Sequence, residues 1–395
     1  MKAFFKLKYF FITIIVFVII WLFSLLPVNL GLFNPLRNAL YDFDLNDIAF
    51  SKLNNDRAAD TNIVIVNIGY LNRLELANLI TKIKNFNPKV VGIDAFFKEN
   101  KDPISDSLLE EAINLDGNTV LVNNLGDYNK NKKQYENLAS SISRFSNNSF
   151  AGYANLPSKD ASSLTTVRLF KPRSNVRDSL VNAFAVQIVK LYDPVSYNYL
   201  LQRKNDFETI NYRGNADKFF YIDGTNPENL DNAYFIRNKI VLLGFLGSYP
   251  SNRILEDIYY TPLNKNYAGK TVPDMYGVVI HANIISMILD KDYINSFPSW
   301  IELLLAMVLC YLNVVILNLI KEIKIDWLNL AGVITKTVEF ILLLFIDLEI
   351  FIRFHFKISI TLMLASIVLI SNAQTIYEII AEHIQKLRQK HMKIV

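Results

Sequence analysis

Six residues in this 395-residue sequence combine a chemically useful side chain or backbone with a place beside or within a structured run: Asp94, Arg213, Gly244, Asp257, His281 and Asn283. Asp94 closes the apolar run Val-Val-Gly-Ile, and Arg213-Gly214 follows Thr209 to Tyr212. Gly244 closes Lys-Ile-Val-Leu-Leu, and His281 and Asn283 lie in the stretch Met275 to Leu289. An arginine is a planar, permanently charged donor suited to a carboxylate or phosphate. An aspartate accepts from a hydroxyl, an amine or an arginine. Asp94, Arg213 and Asp257 are therefore expected to line one pocket for a small polar ligand, against the alternative of an Asp94–Arg213 structural pair tying two strand ends. His281 is a candidate ligand-binding or pH-sensing group, because an imidazole titrates near neutrality. The alternative is a side chain hydrogen-bonded within the domain.

Other chemistries find less support. Gly244-Phe245-Leu246-Gly247-Ser248 follows a strong strand, and backbone N–H groups in such a loop can cradle an anion. The run lacks the Gly-Lys-Ser/Thr ending of a P-loop and is not Gly-x-Ser-x-Gly, so a plain strand-to-loop turn is the default. Asp94, Glu256 and Asp257 offer carboxylates for acid–base work, but nothing in the sequence sets their separation. Asp42, Asp44 and Asp47 lack the glycine of a calcium loop. Of the four histidines, His281 alone lies in the polar region, which argues against a histidine-rich metal site. The single cysteine, Cys310, leaves no partner for an intrachain disulfide or a cysteine-based zinc site. No catalytic residue, metal or cofactor is expected.

The elements that must position these residues alternate in type. Ile63 to Ile68, Lys89 to Ile93, Thr119 to Asn123 and Lys239 to Leu243 read as buried strands. Leu74 to Phe86 and Ser105 to Asn114 read as helices between the first three, and Ser179 to Leu191 as a further helix. Thr209 to Tyr212 reads as a short strand, and Asp127 to Asn148 as a loop or surface insertion. Met275 to Leu289 has apolar residues at helical spacing and reads as an amphipathic helix. Strand–helix–strand alternation predicts an α/β domain with a largely parallel sheet and flanking helices. Ligands in such sheets bind beyond the carboxyl ends of the strands, where Gly69, Asp94, Arg213-Gly214 and Gly244 fall by this assignment.

Hydrophobic residues make up 51% of the chain and its mean hydropathy is +0.21, too apolar for an ordinary soluble protein. Residues 27–298 carry 29 basic and 29 acidic residues, so the excess of 41 over 37 belongs to the flanks. That is a topology signal and gives nucleic-acid binding no support. The expected organisation is a cytoplasmic N-terminus at 1–8, a membrane helix at 9–26, an extracytoplasmic domain at 27–298, three membrane helices at 299–376 and a cytoplasmic helical tail at 377–395. An uncleaved anchor is preferred over a signal peptide, because no small-residue cleavage site follows Leu26. Arg37 to Lys52 reads as a juxtamembrane helix. Lys336 and Glu339, three apart on a predicted membrane helix, are expected to pair between bundle helices, with an ion or proton pathway as the sharper alternative.

Several motifs, taken in order, resemble the CHASE2 family of extracytoplasmic sensory domains of bacterial receptors. Ile63-Val64-Ile65-Val66 is followed by Gly69, Arg73 and Ala77, although the loop Tyr70-Leu71-Asn72 lacks the family's Trp-Pro features. Val91-Gly92-Ile93-Asp94-Ala95-Phe96-Phe97 is similar to the family's strand ending in an aspartate and aromatic residues, and Val167-Arg168 echoes its arginine-containing segment. Tyr212-Arg213-Gly214, Lys239 to Gly244, Asp257 with Thr261-Pro262, and Gly277 with Ile280-His281-Ala282-Asn283 resemble its later landmarks. The resemblance implies one membrane helix before the domain and three after it, and reception of a small ligand or envelope cue coupled to a cytoplasmic output. No output domain is recognisable, so signalling through a separate cytoplasmic effector, from a homodimer in the inner membrane with both termini cytoplasmic, is expected. A structural or assembly protein of the envelope, or a membrane-tethered hydrolase, are the competing expectations.

Overall fold

The computed structural model describes residues 6–25, 57–156, 166–247, 256–264, 272–322 and 328–392. The juxtamembrane helix expected at Arg37 to Lys52 lies outside them, as does Ser248. The chain divides into two compact units, Asn38–Ile294 and Met1–Arg37 with Asn295–Val395.

In the first unit, β1 (Asp60–Asn67), β2 (Val90–Ile93) and β3 (Thr119–Leu125) are joined by α2 (Arg73–Lys84) and α3 (Pro103–Asn114), α1 being the N-terminal helix Leu7–Leu25. β4 (Leu138–Ala139) and β5 (Phe150–Tyr153) follow, then α4 (Phe184–Tyr192), α5 (Pro194–Arg203), β6 (Phe219–Asp223), β7 (Ile240–Gly244) and α6 (Gly277–Asp290). The main sheet runs β6-β1-β7-β2-β3, with β5 parallel and β4 antiparallel to β3. Every other pairing in it is parallel.

Local signals account for the helix starts. Asn72 and Glu75 form a reciprocal capping box before α2, and Asp102 with Pro103 opens α3. The β-branched strands are buried on both faces, as a parallel sheet requires. One face packs Val64, Val66, Val91, Ile93, Val241 and Leu243 against α2 and α3. On the other, Gly92 faces Phe184 and Ile188 of α4, and Gly244 faces Val278 of α6. Lys84 of α2 is buried and donates to the carbonyls of Ile113 (2.9 Å) and Leu115, tying α2 to the end of α3. Burial pulls its ammonium down to about 8.

Three expectations need correction. Ser179 to Leu191 is not one helix: Ser179–Asn182 pairs with Arg173–Val176 as a hairpin, and α4 begins at Phe184. Met275 to Leu289 starts as a two-residue strand, Met275–Tyr276, and α6 is not amphipathic, since every residue from Gly277 to Ile288 is buried. The loop at Asp127 to Asn148 contains short strand pairings and a one-turn helix at Ser143–Ser146. Strands β5 and β6 and helix α5 carry weaker patterns and add to the expected elements.

The second unit contains α1, α7 (Ser299–Glu322), α8 (Leu328–Phe354) and α9 (Thr361–Met392). Tyr9, Ile12, Val16, Cys310, Val314, Ile370 and Ala373 form a core among α1, α7 and α9. Among the described residues, three helices rather than the expected four are long and apolar enough to cross a membrane: Leu7–Leu25, Ser299–Lys321 and Thr361–Leu387. α8 is a 27-residue helix interrupted by Lys336, Glu339, Asp347, Glu349 and Arg353. Lys336 and Glu339 do not form the expected pair. Lys336 donates to Ser371 Oγ and Glu339 accepts from Asn313 Nδ2, so each polar group is met by a different neighbouring helix.

A methyl at Gly152 of β5 would lie 2.6 Å from the Phe184 Cα, a backbone atom with no room to yield. Gly152→Ala is expected to lower the stability of the domain by about 1–3 kcal/mol, read by chemical denaturation followed through tyrosine fluorescence.

Candidate functional site

Asn67, Gly244 and Asp94 end three adjacent strands, β1, β7 and β2. The Asn67 amide organises the loops beyond them. Its Nδ2 donates to the Gly247 carbonyl (2.9 Å), and its Oδ1 accepts from Gly69 N (3.0 Å) and Leu246 N (2.9 Å). Asp94 N donates to the Leu243 carbonyl (2.8 Å), which fixes the first residue past β2. Asp257 faces this edge with its backbone in the left-handed region (φ 52°), and its carbonyl accepts from Gly277 N (3.1 Å) at the start of α6. Its carboxylate packs over Gly277 so closely that a Cβ there would lie 3.0 Å from Oδ2. Tyr70 donates to Glu256 (3.0 Å), and the Tyr70, Phe245 and Tyr276 rings form a chain beside these acids with centroids 5.1 and 6.1 Å apart.

Burial and then the neighbouring Asp257 charge push Asp94 up to about 7. Burial also raises Asp257 to about 6, with the Tyr259 hydroxyl donating to it and pulling the other way and Glu256 adding to the rise. Asp257 keeps an exposed flank, so solvent tempers its shift more than that of half-buried Asp94. Burial and the Asp257 charge hold the Tyr259 hydroxyl protonated well above its ordinary range. The edge therefore carries two carboxyl groups held well above their ordinary range, Asp94 in the field of Asp257, and carboxylates of this kind accept hydrogen bonds from a hydroxyl or an amine.

Arg213 is elsewhere. Its backbone N donates to Asn283 Oδ1 (2.7 Å), its Nε to Ser286 Oγ (2.8 Å) and its Nη1 to the Ala58 carbonyl (2.8 Å), while Nη2 meets Asp290. Asp60, at the start of β1, is 3.9 Å from its Nε. Asp60 stands seven residues before Asn67, so at about 3.3 Å per residue roughly 20 Å of strand separates Arg213 from Asp94. The pocket expected from Asp94, Arg213 and Asp257 is not formed, and neither is the Asp94–Arg213 pair. The two aspartates meet at the carboxyl edge, whereas Arg213 binds the amino end of β1 and the last turns of α6.

The remaining candidates are structural. Asn283 is fully buried and its amide is saturated: Oδ1 accepts from Arg213 N and Gly214 N (3.2 Å), and Nδ2 donates to the carbonyls of Gly214 and Val279 (2.9 Å each). That leaves it no valence for a ligand. His281 is 4% exposed and edge-on to Phe184 (5.2 Å), with Nδ1 unpartnered among the described residues. Burial pulls it down to about 4, so it is neutral at physiological pH and is not a sensor there. A methyl at Gly244 would lie 2.5 Å from Val278 Cβ, so this glycine admits α6 onto the sheet. Asn67 and Tyr259 escaped the sequence reading. The one available signal was a polar residue ending the apolar run Ile63 to Val66. Among the described residues no group of three or more His, Cys, Asp or Glu is placed to hold a metal ion.

The chain thus combines an α/β domain with helices long and apolar enough to cross a membrane. The CHASE2 domain family matches residues 13–315, well over half of the chain, and the chain belongs to that family. CHASE2 is an extracytoplasmic sensory domain. No curated protein and no solved structure matches the chain.

The raised Asp94 pKa makes the fold bind a proton more tightly than the unfolded chain, so its contribution is full below about pH 4 and is lost as pH rises through about 7. His281 acts oppositely: its contribution is present above about 6.5 and is lost as pH falls through about 4. Asp94→Asn is expected to remove the loss of thermal stability between pH 5 and 8, and His281→Phe to reduce the acid-side loss, both read as the melting temperature against pH. Arg213→Ala strands the buried Asp60 and is expected to cost about 3 kcal/mol, read by denaturant titration.

Proposed function

We propose that this protein is a membrane-anchored extracytoplasmic sensor that passes its signal to a separate cytoplasmic partner. The observation that carries the reading is the CHASE2 match over a domain whose chain enters from one membrane-length helix and leaves into others. The Asp94–Asp257 edge is its candidate site of perception, for a protonation event or a small polar ligand. α6 begins against that edge at Gly277, and eight residues link its end to α7, so a change at the edge has a short covalent route to the membrane.

In this reading the domain lies outside the cytoplasm and both termini lie inside, in the inner membrane. Termini on one side need an even number of crossings, so α8 crosses as well. Asn295–Ser296, just before α7, pair with Phe356–Lys357, just after α8, which supports two antiparallel helices traversing the same thickness. Arg353, basic on the outer side against the positive-inside tendency, is paired with Glu349 (2.6 Å).

α9 favours an output role. Its 32 residues span about 48 Å, against a hydrocarbon core of about 30 Å, so its last turns extend past the membrane. Ile376, Ile380, Ile384 and Leu387 form an exposed stripe there, suited to pairing in a homodimer or docking on the effector. The test is twofold. A reporter inserted at Lys130 is expected to be active when it requires export and silent when it requires the cytoplasm; the reverse pattern overturns the topology. Truncation after Ile376 is expected to abolish recovery of cytoplasmic partners while the outer domain keeps its melting temperature; equal recovery removes the tail as the docking element.

A further inference from the structure

A cavity of about 270 Å³ opens between the hairpin Arg173–Asn182 and the last turn of α5. Its walls are of two kinds. Pro172, Leu180, Leu200 and Leu201 supply apolar surface, and Leu180 is 55% exposed although it sits on a paired strand. Lys171, Arg173 and Lys204 supply three cations, with Asp206 as the one acidic lining residue. Among the described residues none of the three cations forms an ion pair, although carboxylates are engaged close by, as in Arg203 with Glu208 at 2.7 Å. Lys171 instead lies over the Phe207 ring at 5.6 Å. The frame around them is fixed: Arg173 is paired with Asn182 across the hairpin, and Lys204 holds a left-handed conformation (φ 57°) that stops α5.

Charge decides the sign of the occupant. The carboxyl end of α5 contributes about half a negative charge and Asp206 one more, against three positive charges. The excess is positive, so an anion is attracted. The carbonyls ending a helix lack intrahelical donors and point away from it, so they accept from ligand hydroxyls. The leucine and proline walls suit the C–H face of a ring. The volume is slightly below that of ordinary small-molecule pockets, about 300–1,000 Å³, which limits the occupant to one ring with its substituents.

We propose that this cavity binds a single-ring, hydroxylated organic anion of the sugar phosphate or sugar acid class. The anion is held by Arg173 and Lys204 with Lys171, the ring lies against Leu180 and Leu201, and hydroxyl groups face the end of α5. The site is separate from the Asp94–Asp257 edge and does not depend on the sensor reading.

The test uses the full-length protein in detergent micelles, with binding followed by calorimetry and by thermal shift. The probes are glucose 6-phosphate, glucuronate, glucose and inorganic phosphate. At least one of the two anionic sugars is expected to bind about tenfold or more tightly than both glucose and phosphate: glucose lacks the charged hydrogen bonds, each worth more than a factor of ten, and phosphate lacks the ring that buries apolar surface against Leu180 and Leu201. The tighter of the two identifies the anionic group. The double variant Arg173→Gln/Lys204→Gln is expected to lose that preference while its unliganded melting temperature stays unchanged, and raised salt is expected to weaken wild-type binding. Leu201→Ser, which spares every charge, is expected to weaken the anionic sugars several-fold and inorganic phosphate not at all. Glucose binding as tightly as its phosphate, inorganic phosphate binding as tightly as the sugars, binding unchanged in the double variant, or no binding of any probe would each overturn the proposal. Because signalling is not the readout, none of these outcomes touches the proposed sensor function.

Discussion

The carboxamide of Asn283 makes four hydrogen bonds inside a helix with no exposed position from Gly277 to Ile288. A helix buried on all sides removes its own backbone polarity through its internal bonds, but the segment Tyr212-Arg213-Gly214 that crosses it is irregular and needs partners. Asn283 supplies two acceptor contacts and one donor contact to that segment, and its second donor contact returns to Val279 of its own helix. An unsatisfied buried amide costs about 1–3 kcal/mol, so the crossing segment and α6 hold their places together or not at all. The sheet depends on the same arrangement, because α6 rests directly on β7 through the missing side chain of Gly244.

The two ends of α6 are treated differently. The Asp257 carboxylate sits over its first residue, and Arg213 bonds Ser286 and Asp290 near its last, an arrangement that complements the helix dipole at both ends. Arg57 with Asp292 (3.0 Å) continues the ionic frame just beyond the helix. The guanidinium end is permanent over the physiological pH range. The carboxylate end is not, because burial brings both Asp94 and Asp257 close to neutrality, with the Asp257 charge adding to the rise of Asp94 and Glu256 to that of Asp257. α6 is therefore held by an ion pair at one end and faces titratable carboxyl groups at the other.

Sequence patterns revealed the central strands because burial on both faces demands long apolar runs, as in Ile63 to Val66 and Ile240 to Leu243. They revealed α2 and α3 because each has a cap and one apolar stripe. They misjudged α6, since a helix buried all round keeps small and polar residues such as Asn283 and Ser286 that imitate a solvent face. They merged the Ser179–Asn182 strand with α4, because nothing at Ala183 breaks the pattern and the hairpin partner just before it, Arg173–Val176, is mostly polar and carries no strand signal. The site residues were found by type, but their grouping depended on register. Asp94 and Arg213 both follow strand-like runs, yet Glu208–Thr209 pairs with Leu169–Phe170 outside the main sheet, so Arg213 is carried to the opposite end of β1. Asn67 showed only as a polar residue ending an apolar run, because most of its role consists of backbone contacts at Leu246 and Gly247, distant in sequence.

The strand order has a bearing on how this protein is made. β7 lies between β1 and β2, although the chain must run from Ile93 to Ile240 before it appears. Until then β1 and β2 present facing edges whose shared neighbour has not been synthesised, and β-branched edges of that kind pair readily with other chains. Sheet closure thus waits on a contact distant in sequence, which slows folding and prolongs the exposure of those edges. A domain assembled this way completes the centre of its sheet only after Ile240 to Gly244 has been made.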